Sequence, residues 1–242
     1  MKTQLITLLL LSTISIAAVA ADHRHPDNEP AKTMSVAPAA TSMPPLAARF
    51  ELHTAGRGAD WFMIREPQRI VTFNAGSRQG EVWARDEQGR IEYTRVFAED
   101  RKTLNYNDGQ LKTLHMEPGW AQLASIISPE EVTKLRKTGE RKVMGQRALI
   151  LEGNIDGVRT RLWWLPELQL PARLERGKGK TATRLVLREI HAKAPAAWNW
   201  GDESVLDTYA RLDASDLGDM EYDPFVQKVM RQDGHQHGHG HL

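Results

Sequence analysis

The chain has 242 residues, 40% hydrophobic and 26% charged, enough for one sizeable core and too polar for an integral membrane protein. Lys and Arg number 32 against 31 Asp and Glu, a formal charge of +1, so no overall field recruits nucleic acid or an anionic bilayer. Cysteine is absent, which excludes disulfides, cysteine-zinc sites, thioether haem attachment, iron-sulfur clusters and a lipid anchor on an N-terminal cysteine.

Residues 1–20 open with Met1-Lys2, run through an apolar stretch at 5–17 and end in Ala18-Val19-Ala20. These are the three parts of a secretory signal peptide. The stretch is short for a bilayer and is broken by Thr7, Ser12, Thr13 and Ser15, so a membrane anchor is disfavoured. The expectation is export to the periplasm with cleavage after Ala20 or Ala21. Residues 21–48 carry Pro26, Pro30, Pro38, Pro44 and Pro45 among Ala, Ser and Thr. With no apolar period, they read as a disordered leader.

Residues 49–195 alternate short apolar-aromatic segments with tight-turn chemistry, the signature of antiparallel sheet. Strands are expected at 50–53, 61–65 and 70–73, followed by four hairpins. These place 81–84 against 90–93 across Asp86-Glu87-Gln88-Gly89, and 103–106 against 110–113 across Asn107-Asp108-Gly109. They also place 148–151 against 158–164 across Asn154-Ile155-Asp156-Gly157, and 172–175 against 183–187 across Gly177-Lys178-Gly179-Lys180. Asn, Asp and Gly tolerate the positive φ that such turns need. One helical interruption is expected near 120–137: Trp120, Leu123, Ala124 and Ile127 share a helical face, and Ser128-Pro129-Glu130-Glu131 is a capping box with a first-turn proline. Residues 196–231 form an acidic segment, with Asp223-Pro224 starting a short helix to about Arg231. Residues 232–242 are a His-rich tail. The fold class is mainly β (α+β), a curved antiparallel sheet or half-open β-barrel with a short helical lid and flexible termini.

The run of hairpins, then a helix, then Val143-Met144-Gly145-Gln146, then Leu162-Trp163-Trp164-Leu165-Pro166-Glu167-Leu168-Gln169-Leu170-Pro171 and Ala172-Arg173-Leu174-Glu175 resembles the periplasmic lipoprotein-carrier family (LolA/LolB-like) and the related sigma-factor-regulator half-barrels. The likeness spans about residues 50–192 and rests on pattern. It implies a half-open β-barrel with a helical lid and an apolar hollow that binds acyl chains or a protein partner without chemistry. It brings no catalytic residues.

The chemistry-bearing residues gather at the ends. His235, His237, His239 and His241 alternate along the tail, with Gly238 and Gly240 between; neutral imidazoles ligate zinc, nickel and copper, and glycine lets successive rings turn toward one ion. Cleavage after Ala20 gives a mature start of Ala21-Asp22-His23. The free amine, two amide nitrogens and the His23 imidazole then form a square suited to Cu(II) or Ni(II), with His25 as a neighbouring ligand. Cleavage after Ala21 removes one of those amides. His53, His115 and His191 lie in or beside strands and read as hydrogen-bonded or solvated imidazoles.

Other features have plainer readings. The acidic segment lacks the oxygen-ligand spacing of a calcium hand, and Gly177-Lys178-Gly179-Lys180-Thr181 lacks the earlier glycine of a phosphate loop and reads as a turn. Arg159, Arg161, Arg173 and Arg184 alternate with apolar neighbours, as on a solvated sheet face. Adjacent Trp163 and Trp164 must point to opposite faces of a strand. No nucleophile elbow, zinc-protease helix or dinucleotide loop is present. The leading expectation is therefore an exported, non-enzymatic binding protein whose His-bearing ends take Cu, Ni or Zn for periplasmic metal handling. The alternatives are a carrier of lipoprotein or another hydrophobic ligand, or a module binding an envelope protein, with metal binding incidental.

Overall fold

The computed structural model describes residues 43–237, which belong to the second of two compact units, 43–242. The expected signal peptide and nearly all of the leader lie outside these residues. The strands are β1 (Leu46–Thr54), β2 (Arg57–Glu66), β3 (Arg69–Asn74), β4 (Gln79–Arg85), β5 (Ile91–Phe97), β6 (Lys102–Tyr106), β7 (Arg136–Val143), β8 (Gln146–Ile155), β9 (Val158–Leu165), β10 (Leu170–Arg176), β11 (Thr183–His191) and β12 (Ala210–Asp213). They form one open, curved sheet in the order β12-β6-β5-β4-β3-β2-β1-β11-β10-β9-β8-β7. All neighbours are antiparallel except β12, which runs parallel to β6. The half-open sheet expected from the sequence is thus the fold.

Three of the four expected hairpins form. Trp83 faces Tyr93 in β4–β5, Leu151 faces Leu162 in β8–β9, and Leu174 faces Leu185 in β10–β11. The β8–β9 turn sits on Asp156 and Gly157 at φ 50° and 76°, the left-handed pair that matches strand twist in a two-residue hairpin. The hairpin expected between 103–106 and 110–113 does not form: residues Asp108–Thr113 are helix α1. Asn107 caps it, its Oδ1 accepting from the Gln110 N–H at 3.0 Å while the Asn107 N–H donates to Gln110 Oε1 at 2.7 Å. A Gln three residues after Asn offered a capping box, and burial of Leu111 favoured it over a turn.

The helix expected near 120–137 is two short ones, α2 (Trp120–Ser125) and α3 (Pro129–Thr133). They are separated by Ile126 at φ 70°, and the chain is already strand at Arg136. The capping box at α3 is formed, with Ser128 Oγ accepting from the Glu131 N–H at 3.1 Å. A further short helix, α4, covers Glu203–Leu206. The last, α5, spans Pro224–His237, longer than the helix expected to about Arg231. Asp223 Oδ1 caps its first turn, accepting from the N–H groups of Phe225 and Val226 at 2.7 and 3.1 Å. Its backbone takes in the first part of the expected tail.

Strand register sorts the side chains onto two faces. The inner face carries Phe50, Leu52, Trp61, Met63, Ile70, Trp83, Phe97, Leu104, Leu151, Leu162 and Leu174, all buried. Helices α1, α2, α3 and α5 cover it: Leu111, Ala124, Phe225, Val226 and Val229 are buried, and the Phe97 and Phe225 rings meet edge-on at 4.9 Å. The outer face is covered only in part. A strap of residues 194–209 crosses β2–β5, seating Trp198, Trp200 and Leu206 on Phe62, Val71, Phe73, Val82 and Val96. Toward β7 the outer face is polar, with Arg136 opposite Glu152, Glu152 opposite Arg161, Arg161 opposite Glu175 and Glu175 opposite Arg184. Opposite charges directly across neighbouring strands stabilise their pairing modestly.

Candidate functional site

The inner face under α5 holds a group of buried and half-buried polar side chains. Glu81 and Trp83 on β4, Tyr93 and Arg95 on β5 and Tyr106 on β6 share this face by register. Rings of Trp83 and Tyr93 stack at 4.0 Å, and those of Tyr93 and Tyr106 at 5.4 Å. Glu81 accepts from Tyr93 Oη at 3.1 Å and from Trp83 Nε1 at 3.4 Å. Burial pushes the Glu81 carboxyl above its ordinary value, outweighing those hydrogen bonds and the nearby Arg95 charge. Burial also raises Tyr93 well above, and Tyr106 above, the usual phenol range, so both phenols remain neutral donors.

Arg95 joins this floor to its cover. Its Nη1 donates to both carboxylate oxygens of Asp233 on α5 at 3.0 Å, while its buried Nη2 has no hydrogen-bond partner among the described residues. Lys228 of α5 adds a second ionic contact, to Asp100 at 2.5 Å. Lys102 lies over the Phe225 ring at 4.6 Å and reaches Asp223 at 3.7 Å. Helix α5 is therefore held by three apolar side chains and a few ion pairs near the sheet rim.

At the other end of the inner face, Arg65 is 2% exposed, and its partners among the described residues are carbonyl oxygens and a thioether. Nη1 donates to Ala124 O at 2.7 Å and Gln169 O at 3.3 Å, Nη2 to Leu168 O at 2.6 Å and Nε to Pro44 O at 3.0 Å. With no carboxylate to offset desolvation, its pKa is pulled down to about 10. The side chain ties α2, the β9–β10 turn and the segment before β1 together, so it closes this end of the sheet.

Neither of two clefts found among the described residues is the apolar hollow implied by the family resemblance. Both lie at the surface, with linings of mixed polarity. One, of about 410 Å³, is lined by Lys134, Arg136, Glu152, Gly153, Asn154 and Arg159. The other, of about 250 Å³, lies between the β4–β5 turn and α1, among Gln88, Arg90, Asp108 and Lys112. The inner face is filled by the side chains of its helical cover.

Of the expected metal ligands, Ala21, Asp22, His23, His25, His239 and His241 lie outside the described residues, and His235 and His237 fall in the last turn of α5. Among the residues whose side chains are described, no group of three His, Asp or Glu is arranged to hold a metal ion. His53 Nε2 lies 2.7 Å from Glu51 Oε1, and His191 Nε2 lies 3.4 Å from Glu189 Oε2. His115 is exposed. These three follow the hydrogen-bonded or solvated reading. Among the described residues, no helix is long and apolar enough to cross a membrane.

Sequence reasoning passed over Glu81, Tyr93, Arg95 and Tyr106. The signal was present: Glu81 precedes Trp83 by two, and Arg95 sits two from both Tyr93 and Phe97, so both charges alternate in phase with apolar residues. A charge in phase with a buried face needs a partner. The partner, Asp233, is 138 residues away from Arg95, which no local pattern announces.

No protein-family model matches the chain, and no curated protein sequence matches it. Among solved structures, it is similar to PNGF-II at 10% identity and TM-score 0.42, over 74% of this chain and 33% of that one. It is similar to MucB in the Pseudomonas aeruginosa MucA/MucB complex at 16% identity and TM-score 0.42, over 66% of this chain and 56% of the other. A domain from Vibrio parahaemolyticus described as an outer membrane lipoprotein-sorting protein matches at 9% identity and TM-score 0.30, over 67% of this chain and 92% of that one. The chain thus spans about a third of PNGF-II and a little over half of MucB. These superpositions are loose, and no ligand or partner is carried over from them.

Proposed function

We propose that this protein is a non-catalytic binding protein of the bacterial envelope that takes an apolar ligand carrying an anionic group, an acyl carboxylate in the simplest form, on its inner sheet face. The observation that carries this reading is the manner in which α5 covers that face. Phe225, Val226 and Val229 fill the apolar floor, and the Asp233 carboxylate sits on the buried Arg95 guanidinium. The helix places apolar bulk and one carboxylate where an amphiphile would place its chain and headgroup. Arg95 Nη2 and the neutral Tyr106 hydroxyl add donors for a carboxylate. A cover held by few contacts is exchangeable at modest cost, since sub-global opening draws on the least stable elements.

The test is displacement of a fluorescent fatty acid from the full chain. Asp233→Asn weakens the hold of α5 on Arg95, so probe affinity rises about tenfold, the change that about 1.4 kcal/mol produces. Arg95→Met lowers it in either background. Absence of saturable binding to wild type and Asp233→Asn alike would overturn the reading.

The second reading, capture of Cu, Ni or Zn by the histidine-bearing ends, is favoured by one feature: the helix that covers the inner face runs on into His235 and His237. Metal binding at the tail would then bear on α5. Calorimetry of the mature chain with Cu(II), Ni(II) and Zn(II), against a variant with residues 235, 237, 239 and 241 changed to Ala, decides it. Tight binding lost in the variant supports this reading, as does a tail-independent Cu(II) or Ni(II) equivalent at Ala21-Asp22-His23. Weak, unselective binding in both removes it.

A further inference from the structure

We infer that the cleft at the β7–β8–β9 end of the outer face is a binding site for a phosphate-type oxyanion. It lies at the β7–β9 rim of the sheet, away from the Arg95 cluster under α5, and does not rest on the acyl-ligand reading. Lys134 enters from the end of α3, Arg136 from the first position of β7 and Arg159 from β9, and the cleft between them has a volume of about 410 Å³. The only carboxylate in its lining, Glu152, accepts from Arg161 Nε at 2.9 Å. Its charge is already engaged.

The three cations are not engaged. Among the described residues Lys134, Arg136 and Arg159 make no side-chain hydrogen bond or ion pair. Farther along this face Arg49 holds Asp60 and Glu189, Arg188 holds Glu51, and Arg173 holds Glu175, while Arg184 stands alone, its buried Nε without a partner among the described residues. The cleft is where the alternation of charge across the strands stops and positive charge accumulates around a concavity. Low-dielectric walls focus such a field outward and draw in anions. Two guanidinium forks and an ammonium suit a ligand with several equivalent oxygens and more than one negative charge, which a phosphate offers and a lone carboxylate does not.

Two sources present that chemistry, a soluble phosphate compound and a lipid headgroup. Calorimetry of the full chain with pyrophosphate tests the first. Flotation with phosphatidylcholine vesicles, with and without phosphatidic acid, tests the second. The expected result is binding that weakens with added salt and falls about tenfold in Arg136→Gln and in Arg159→Gln, as loss of one charge-assisted contact entails. Lys142→Gln removes an exposed cation from the same strand outside the cleft and leaves binding unchanged. All three positions are exposed, so unaltered thermal unfolding establishes that the variants fold. Loss confined to pyrophosphate assigns a soluble oxyanion; loss confined to phosphatidic acid vesicles assigns a headgroup. No binding to either probe, or equal weakening in Lys142→Gln and Arg159→Gln, overturns the site.

Discussion

Strands β2–β5 and strands β7–β9 belong to one sheet and differ in what covers them. The first group lies between two layers, helices on the inner face and the 194–209 strap on the outer, so β2 is buried at five consecutive positions, Trp61 through Arg65. The second group has helices on one side and solvent on the other, so β9 alternates, with Thr160 and Leu162 buried and Arg159 and Arg161 exposed. The lesson concerns periodicity: period-two alternation reports one-sided cover and continuous burial reports two-sided cover. Both occur here along a single antiparallel sheet.

The largest test of that contrast sets two tryptophans against each other. Trp198 in the strap is 9% exposed and meets the Phe62 ring edge-on at 4.9 Å. Trp163 is only half-buried on the uncovered side, with Arg141 at 4.0 Å and Arg173 at 4.9 Å over its ring. Trp198→Ala removes a core side chain and is expected to cost about 3–5 kcal/mol. Trp163→Ala loses two partly solvated cation–π contacts and is expected to cost about 1–2 kcal/mol. Urea unfolding of the full chain measures both. Equal losses would mean that the strap is not a second core layer.

The two faces also differ in the sign of their pH dependence. Glu81 on the inner face titrates above its ordinary value of 4.5 because burial disfavours the charge. Between the unfolded and folded values the native state holds the extra proton, so stability from this group is complete below 4.5 and is lost as pH rises through the higher folded value. On the outer face, Arg49 holds Glu189 below its ordinary value and Arg188 does the same for Glu51. The unfolded state then binds the extra proton, and stability from those groups is lost as pH falls through their depressed values. Glu81→Gln should flatten the decline on the alkaline side of 4.5, while Glu189→Gln should flatten the loss on the acid side. Unfolding midpoints across a pH series check this, and a common sign for the two variants would refute the assignment.

Much of the central sheet was legible because its strands carry apolar alternation and its turns carry Asn, Asp and Gly. Two strands were not. β7, Arg-Lys-Thr-Gly-Glu-Arg-Lys-Val, has no apolar period because it is an exposed edge, where charge protects against pairing with another chain. β12 lies inside the acidic segment and is ordered by parallel pairing to β6, over a hundred residues away. The inner-face cluster was hidden for the same reason as β12. Arg95 meets Asp233 only after α5 has docked, and sequence shows the helix without showing its destination. The tail was legible as composition, but α5 extends further into it than the glycine at 234 suggests.

The smallest effect is expected in the charged row itself. Glu152 and Arg161 face each other on β8 and β9 at 2.9 Å, with side-chain exposures of 33% and 44%. Solvent screens such a pair, so a double-mutant cycle with Glu152→Gln and Arg161→Gln should give a coupling of about 0.5 kcal/mol or less, falling further in salt. A coupling several times larger would mean that the row from Arg136 to Arg184 acts as one network, since each charge in it has an opposite neighbour on both sides except at the ends. The uncovered half of the sheet would then be held by electrostatics on a scale comparable to the strap. With the small value, the inner-face packing of Leu151, Leu162, Leu174 and Leu185 holds that half together, and the outer charges remain free to serve binding.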